Sequence, residues 1–314
     1  MFDRDNLNFK VEKVNLHNIY DGVTSNISKN VGVGLRRKDT GQILSIVKDS
    51  YNVIQYNDLI DEVEFSLKKS NLELDDAEYR TILYDDGAKM ELQAKFPSHA
   101  TTIDDKNDKI TPQFLFRSSF DRTWANSGMM GYFRHYCYNT LIDGNKLAHI
   151  YGRSTKNFNI DAFTNKIKNA ANYISTDSLD KMKSWYQTPV QREQALNLFK
   201  NTIARRYDNV EKKNVGNKVV MSNLMKIFDN ENKHLIGKGS YEHIKHRDEG
   251  TLWTTYQAAT AWSTNGYTWA NAQTSLASLD RKASKAITKS NRETSVMKML
   301  DSEHWKMLES NLVH

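Results

Sequence analysis

The chain of 314 residues is long enough for one large or two modest domains, and its 39% hydrophobic and 26% charged residues exclude a disordered polymer. No stretch approaches the ~20 apolar residues of a membrane helix, the opening "MFDRDNLNFK" carries acids where an export signal has an apolar run, and a single cysteine excludes an internal disulfide or a Cys-rich zinc site. The formal charge of +6 is uneven, since residues 161–314 hold 23 Lys and Arg against 16 Asp and Glu while residues 1–160 hold 21 against 22; a basic half points to a polyanion partner or to a merely solvated surface.

In chain order, "VGVGLRRKDTGQILSIV" places apolar runs on either side of Asp39-Thr40-Gly41, which predicts a hairpin because glycine accepts positive φ. "YNVIQYNDLIDEVEFSLKKS" begins extended and turns helical, with Asn57 as N-cap and Leu59, Ile60, Val63 and Leu67 on one face. A second hairpin is expected around Asp86-Gly87, between "YRTILYDD" and "AKMELQAKF". "SHATTIDDKNDK" reads as a polar loop and "TPQFLFRSSF" as a strand. A helix is expected over Tyr132 to Leu141, stopped by Asp143-Gly144.

From Asp161 onward the expectation is mainly helical. Phe163, Ile167, Ala170 and Ile174 share a face, and Thr188-Pro189 reads as a helix start with Gln191 completing a capping box. That helix turns Ala195, Leu196, Phe199 and Ile203 inward and ends near Arg205-Arg206. Further helices are expected at 218–229, 251–263 and 291–309, the last opening at Ser290. Strands first and helices after indicate an α+β fold: an antiparallel, curved sheet with packed helices, then a helical half. The division is residues 1–160 and 161–314, or one domain over 1–265 with a basic helical tail over 266–314.

Catalytic signatures are absent: there is no Walker-type loop, since "GKGS" has its Lys misplaced, no G-x-S-x-G elbow and no H-E-x-x-H. His243 and His246 lack a third convergent metal ligand, Cys137 lacks a base on its own helix face, and the acids of "IDDKNDK" lack the Gly and Glu of a calcium loop. The informative cluster is cationic and aromatic. Arg117, Arg122, Arg134 and Arg153 fall within 37 residues, with Lys146 among them and Trp124, Tyr132 and Phe133 interleaved. Cations hold the backbone of a single strand while rings stack its bases; the competing reading puts the rings in the core and pairs the arginines with Asp121 and Asp143. A second run, "RKASKAITKSNR", offers Arg281, Lys282 and Lys285 for phosphate.

Four blocks carry a resemblance: Tyr51, Val53 and Gln55; Ser119, Asp121 and Thr123; Arg134, Cys137, Asn139, Thr140 and Leu141; and Gly250, Thr251, Trp253, Ala259 and Thr260. In that order, over roughly 31–265, the chain resembles the phage- and plasmid-associated family called domain of unknown function 932. One departure is Arg122, where many members have glycine. The resemblance implies an intracellular protein of phage DNA metabolism, in the cytoplasm of an infected bacterial host. The N-terminal order of three strands and a helix is also similar to phage single-strand annealing proteins. The expectation is a non-enzymatic binder of single-stranded DNA that anneals strands during replication or recombination, forms homo-oligomers, and needs no cofactor and no membrane. The alternatives are a metal-dependent enzyme on nucleic acid or nucleotides, using Asp121, Asn139 and His135, and a virion or host-takeover protein.

Overall fold

The structure, a computed structural model, describes residues 1–15, 32–103, 109–135, 139–142, 149–152, 160–209, 211–237, 249–265 and 283–310. It is an α+β protein whose chain forms two compact units, neither continuous in sequence. The first comprises Met1–Ser98, Gln113–Met130 and Lys146–Asn172, the second His99–Pro112, Gly131–Asn145 and Tyr173–His314. No helix among the described residues is long and apolar enough to cross a membrane.

The first unit opens with an antiparallel sheet of β1 (Val11–Asn15), β2 (Val33–Arg37) and β3 (Ile43–Val47). The expected turn joins β2 to β3, with Gly41 at φ 73°. Helix α1 (Tyr56–Lys68) follows and buries Leu59, Ile60, Val63 and Leu67, the predicted face. Its N-cap is Gln55 rather than Asn57. The Gln55 side chain is taken up elsewhere: its amide accepts from Val11 N and donates to Val11 O, both at 2.9 Å, tying the helix entry to β1.

Strands β4 (Glu78–Tyr84) and β5 (Lys89–Lys95) form the second hairpin. Its tip is strained, since Asp85 and Asp86 precede Gly87 with φ of 50°, 53° and 90°. The short β6 (Thr101–Thr102) pairs with the start of β7 (Lys109–Ser119), so part of the expected loop is strand; residues 104–108, which hold all three of its acids, lie outside the described residues. β8 (Asn126–Arg134), β9 (Asn139–Ile142) and β10 (His149–Gly152) complete a seven-stranded sheet ordered β10-β8-β7-β5-β4, with β6 on β7 and β9 on β8.

The helix expected over Tyr132 to Leu141 is therefore two strands, paired Gly131↔Ile142 to Arg134↔Asn139. Aromatic residues such as Tyr132 and Phe133 suit a pleated surface better than a helix, and β-pairing of both flanks decides the case.

β5 reads K-M-E-L-Q-A-K, the alternation of a strand with one wet face. Its apolar members Met90, Leu92 and Ala94 are buried together with Phe114 and Phe116 of β7. Two of its polar members are buried as well: Lys89 and Glu91 are each 3% exposed, opposite Ser119 and Arg117, while Gln93 and Lys95 are half-buried.

The second unit holds most of the helices: the C-terminal part of α2 (Ile160–Gln187), then α3 (Arg192–Asn201), α4 (Lys218–Gly237), α5 (Leu252–Asn265), α6 (Ala283–Leu300) and α7 (Glu303–Ser310). The predicted α2 face is correct where its side chains are described, with Ile167, Ala170 and Ile174 buried. The predicted start at Thr188-Pro189 is not. Pro189–Gln191 is a short strand, β11, pairing with β14 (Glu249–Thr251), and Gln191 is the N-cap of α3 in a capping box with Gln194. The last helix is broken at Asp301 and Ser302, where Ser302 Oγ accepts from Trp305 N.

α5 is buried on every side from Leu252 to Thr264. Its hydroxyls bond to carbonyls of the helix or of Thr251 just before it, Thr255 on Thr251 O, Thr260 on Tyr256 O and Ser263 on Thr260 O. Its Trp253 and Tyr256 meet Trp185, Tyr186 and Trp305, with Trp185 centred 4.9 Å from Tyr256 and 5.2 Å from Trp305.

Candidate nucleic-acid interface

The central Arg and aromatic cluster divides between the two units. In the first, Ser119 ends β7 and its Oγ both accepts from Trp124 N and donates to Trp124 O, at 3.0 Å each. Asp121 Oδ1 accepts from Thr123 N and Thr123 Oγ1 at 3.0 and 2.6 Å, an Asx-turn. Asp121 Oδ2 is 2.5 Å from Lys89 Nζ, which also meets Asp85. Burial works against charge on both groups. The hydrogen bonds from Lys89 and Thr123 still hold the Asp121 carboxyl below its ordinary pKa, and those to Asp121 and Asp85 hold the Lys89 ammonium above its own. Tyr51 Oη donates to Ser119 O at 3.1 Å, so the first two motif blocks meet here.

Arg117 and Trp124 are corrected by this geometry. Arg117 is 7% exposed, with Nε 2.6 Å from Glu91 Oε2, and its guanidinium lies over the Trp124 ring. Trp124 is 7% exposed and packs edge-on against Tyr84. Neither presents a surface to a base or a phosphate.

Arg122 is different. It is exposed, and it stands at φ 64°, in the left-handed region where glycine is at ease. The turn thus keeps the backbone that a glycine would give it and bears the steric cost of a Cβ. Arg122→Gly is expected to raise stability by about 1 kcal/mol, read from urea unfolding; a loss of stability would show that the side chain contributes more than its backbone costs.

In the second unit Arg134 is fully buried. Its Nη1 donates to Glu231 Oε2 and to Gln257 Oε1, each at 2.9 Å, and its guanidinium sits 5.7 Å from the Trp253 ring centre. Tyr132 is 1% exposed, its hydroxyl donating to Ile174 O at 2.6 Å, and Phe133 is buried edge-on to His135. Arg134, Tyr132 and Phe133 are therefore interior, not a binding face. The carboxylate expected for Arg134 exists, but it is Glu231 rather than Asp121.

Trp253 and Tyr256 are core. The late motif explains itself. Gly250 leaves room for Asn232 and Phe228, Thr251 forms a reciprocal cap with Thr254 (N to Oγ1 at 2.9 and 3.2 Å), and Trp253 lies under Arg134. Where their side chains are described, the motif residues singled out here hold the fold.

Of the remaining expected contacts, Lys146, Arg153, Arg281 and Lys282 lie outside the described residues, as do Cys137, Asp143, Gly144, His243 and His246. Lys285 falls in α6, and Asn139 and Thr140 in β9, with their side chains outside the described set. Among the described residues no three His, Cys, Asp or Glu side chains are grouped to hold a metal ion. His135 is exposed, its Nε2 2.7 Å from Thr111 Oγ1.

An exposed cationic feature that the sequence reading passed over lies between α3 and α4. Strands β12 (Tyr207–Asp208) and β13 (Lys213–Asn214) form a hairpin. Asn214 braces its base: Nδ2 donates to Lys200 O and Asn201 Oδ1, and Oδ1 accepts from Arg206 N and Gly216 N. Val215 N donates to Arg206 O, and Asn217 N to Ala204 O. On this frame Arg205, Arg206, Lys212 and Lys218 are exposed and, among the described residues, have no acid within ion-pairing distance; Lys213 alone is paired, with Glu211 at 2.8 Å. The signal was present as "ARRYDNVEKKNVGNK", but Arg205-Arg206 read as the end of a helix, where cations are expected for dipole reasons.

No curated protein and no solved structure matches the chain. The sequence profile of the family described as "Domain of unknown function (DUF932)" matches residues 43–299, which contain all four motif blocks and the β4–β5 hairpin of the first unit, and the chain belongs to that family.

Proposed function

We propose that the chain binds single-stranded nucleic acid, single-stranded DNA in the first instance, independently of sequence and without turning it over. The observation that carries this reading is the braced hairpin with Arg205, Arg206, Lys212 and Lys218 exposed in the basic half. Cations held on a stiff frame and without acidic partners suit phosphate, because binding releases counterions and no competing ion pair must be broken. Support for the single-stranded form is the order β1-β2-β3-α1, the order expected of annealing proteins. Annealing itself is driven by base pairing once strands are held, so no cofactor enters. One hairpin reaches few phosphates, so several copies acting together as a homo-oligomer belong to the reading, as does action in the cytoplasm of an infected bacterial host.

The test is binding of labelled oligonucleotides, single- and double-stranded, DNA and RNA, in about 50 to 200 mM salt. Affinity for single-stranded DNA is expected to exceed that for duplex and to fall steeply with salt. Arg205→Glu combined with Arg206→Glu should weaken it at least tenfold with the circular dichroism unchanged. Absence of binding by the parent chain would overturn the reading, and unchanged binding in the pair would overturn the hairpin as its site.

A further inference from the structure

We infer that the solvent face of α4 continues the hairpin as a phosphate track, so that the bound strand runs along this helix. The inference rests on the nucleic-acid reading and adds where the strand goes. α4 starts where the hairpin ends: Asn217, whose backbone N bonds to Ala204 O, caps it by accepting from Val219 N and Val220 N.

One side of α4 is anchored in the core by Val220, Leu224, Ile227, Phe228 and Glu231. The other side is exposed at Lys218, Ser222, Lys226, Asn230 and Lys233. Lys226 and Lys233 follow Lys218 by eight and fifteen residues, which at 3.6 residues per turn keeps all three within roughly 80° of arc. They span ~22 Å of helix axis at 1.5 Å per residue. None of the three has an ion-pair partner among the described residues.

The acid that might spoil this face is Asp229, and it is occupied. Arg192, at the start of α3, donates from Nε to Oδ1 at 2.9 Å and from Nη2 to Oδ2 at 3.1 Å, so both carboxylate oxygens are engaged. Ser222 and Asn230 fall between the lysines and are uncharged hydrogen-bonding groups of the kind that contact phosphate oxygens. Among the described residues the α4 face has no exposed ring and no free guanidinium to read a base edge, so the ligand it fits is a polyphosphate backbone of any sequence.

The test uses the full chain with Lys226→Gln and Lys233→Gln, both exposed and both conservative for helix formation. Each phosphate contact contributes about 0.7 to the slope of log affinity against log salt for a single strand. The double variant should therefore lose about 1.4 from that slope. Its affinity should also stop rising with oligonucleotide length sooner than the parent's, while the shortest oligonucleotides, held by the hairpin, bind both equally. A slope and a length dependence equal to the parent's would overturn the track and leave the hairpin reading intact. An equal loss from Lys183→Gln with Lys298→Gln, exposed lysines of α2 and α6, would also overturn it by showing that net charge alone is at work. If the parent chain binds no oligonucleotide, the reading beneath the inference fails instead.

Discussion

Arg134→Ala is expected to destabilise the protein by about 3–5 kcal/mol, measured by urea or thermal unfolding. Glu231 is 1% exposed and its Oε2 depends on the Arg134 guanidinium. Removing the cation strands a carboxylate in the core, and the Gln257 carbonyl oxygen loses its donor at the same time. The origin of the cost can be separated from the value of the pair. Exchanging both members for methionine removes both charges and keeps most of the volume, so Arg134→Met with Glu231→Met should recover the greater part of the loss. A single-variant loss below ~1 kcal/mol, or a double variant worse than Arg134→Ala, would contradict the buried pair. Oligonucleotide affinity per folded molecule should not change, because Arg134 meets no solvent.

Gly250→Ala is the second large effect, with an expected loss of about 1–3 kcal/mol. The strain is not conformational, since Gly250 has no positive φ. A Cβ here would come to 2.6 Å of Asn232 Nδ2, Asn232 Oδ1 and Phe228 Cζ. Phe228 is fully buried and Asn232 is 3% exposed, so neither has water to retreat into. Both terminal atoms of Asn232 are buried and, among the described residues, have no hydrogen-bond partner. Asn232→Ala therefore removes polar atoms that contribute no bond and opens the space the new methyl needs. In a double-mutant cycle, Gly250→Ala should cost clearly less in the Asn232→Ala background. Strictly additive losses would place the clash elsewhere.

These expectations separate what holds the molecule from what meets a partner. The motif blocks read at first as a contact surface: Arg117, Trp124, Tyr132, Phe133 and Arg134 have the chemistry of strand binding. In the folded chain Arg117 is committed to Glu91, and Arg134 to Glu231 and Gln257, 97 and 123 residues further on. No local pattern announces an ion-pair partner at such a separation. Composition flags an arginine as costly to bury, but only the packed chain says whether an acid or a phosphate answers it.

What the sequence by itself determined are the features whose physics is local. Asp39-Thr40-Gly41 and Asp86-Gly87 made turns because their backbones reach positive φ, and Leu59, Ile60, Val63 and Leu67 faced inward because helical spacing put them on one stripe. The α+β class and the family membership were legible for the same reason, being carried by the order of such segments. Tertiary structure alone decided that Tyr132 to Leu141 includes strand where a helix was expected, that Pro189–Gln191 pairs with Glu249–Thr251, and that Lys89 and Glu91 on the polar face of β5 lie indoors. Strand pairing, charge pairing and burial are settled between residues far apart in sequence, where short-range propensity is a weak term against long-range contact.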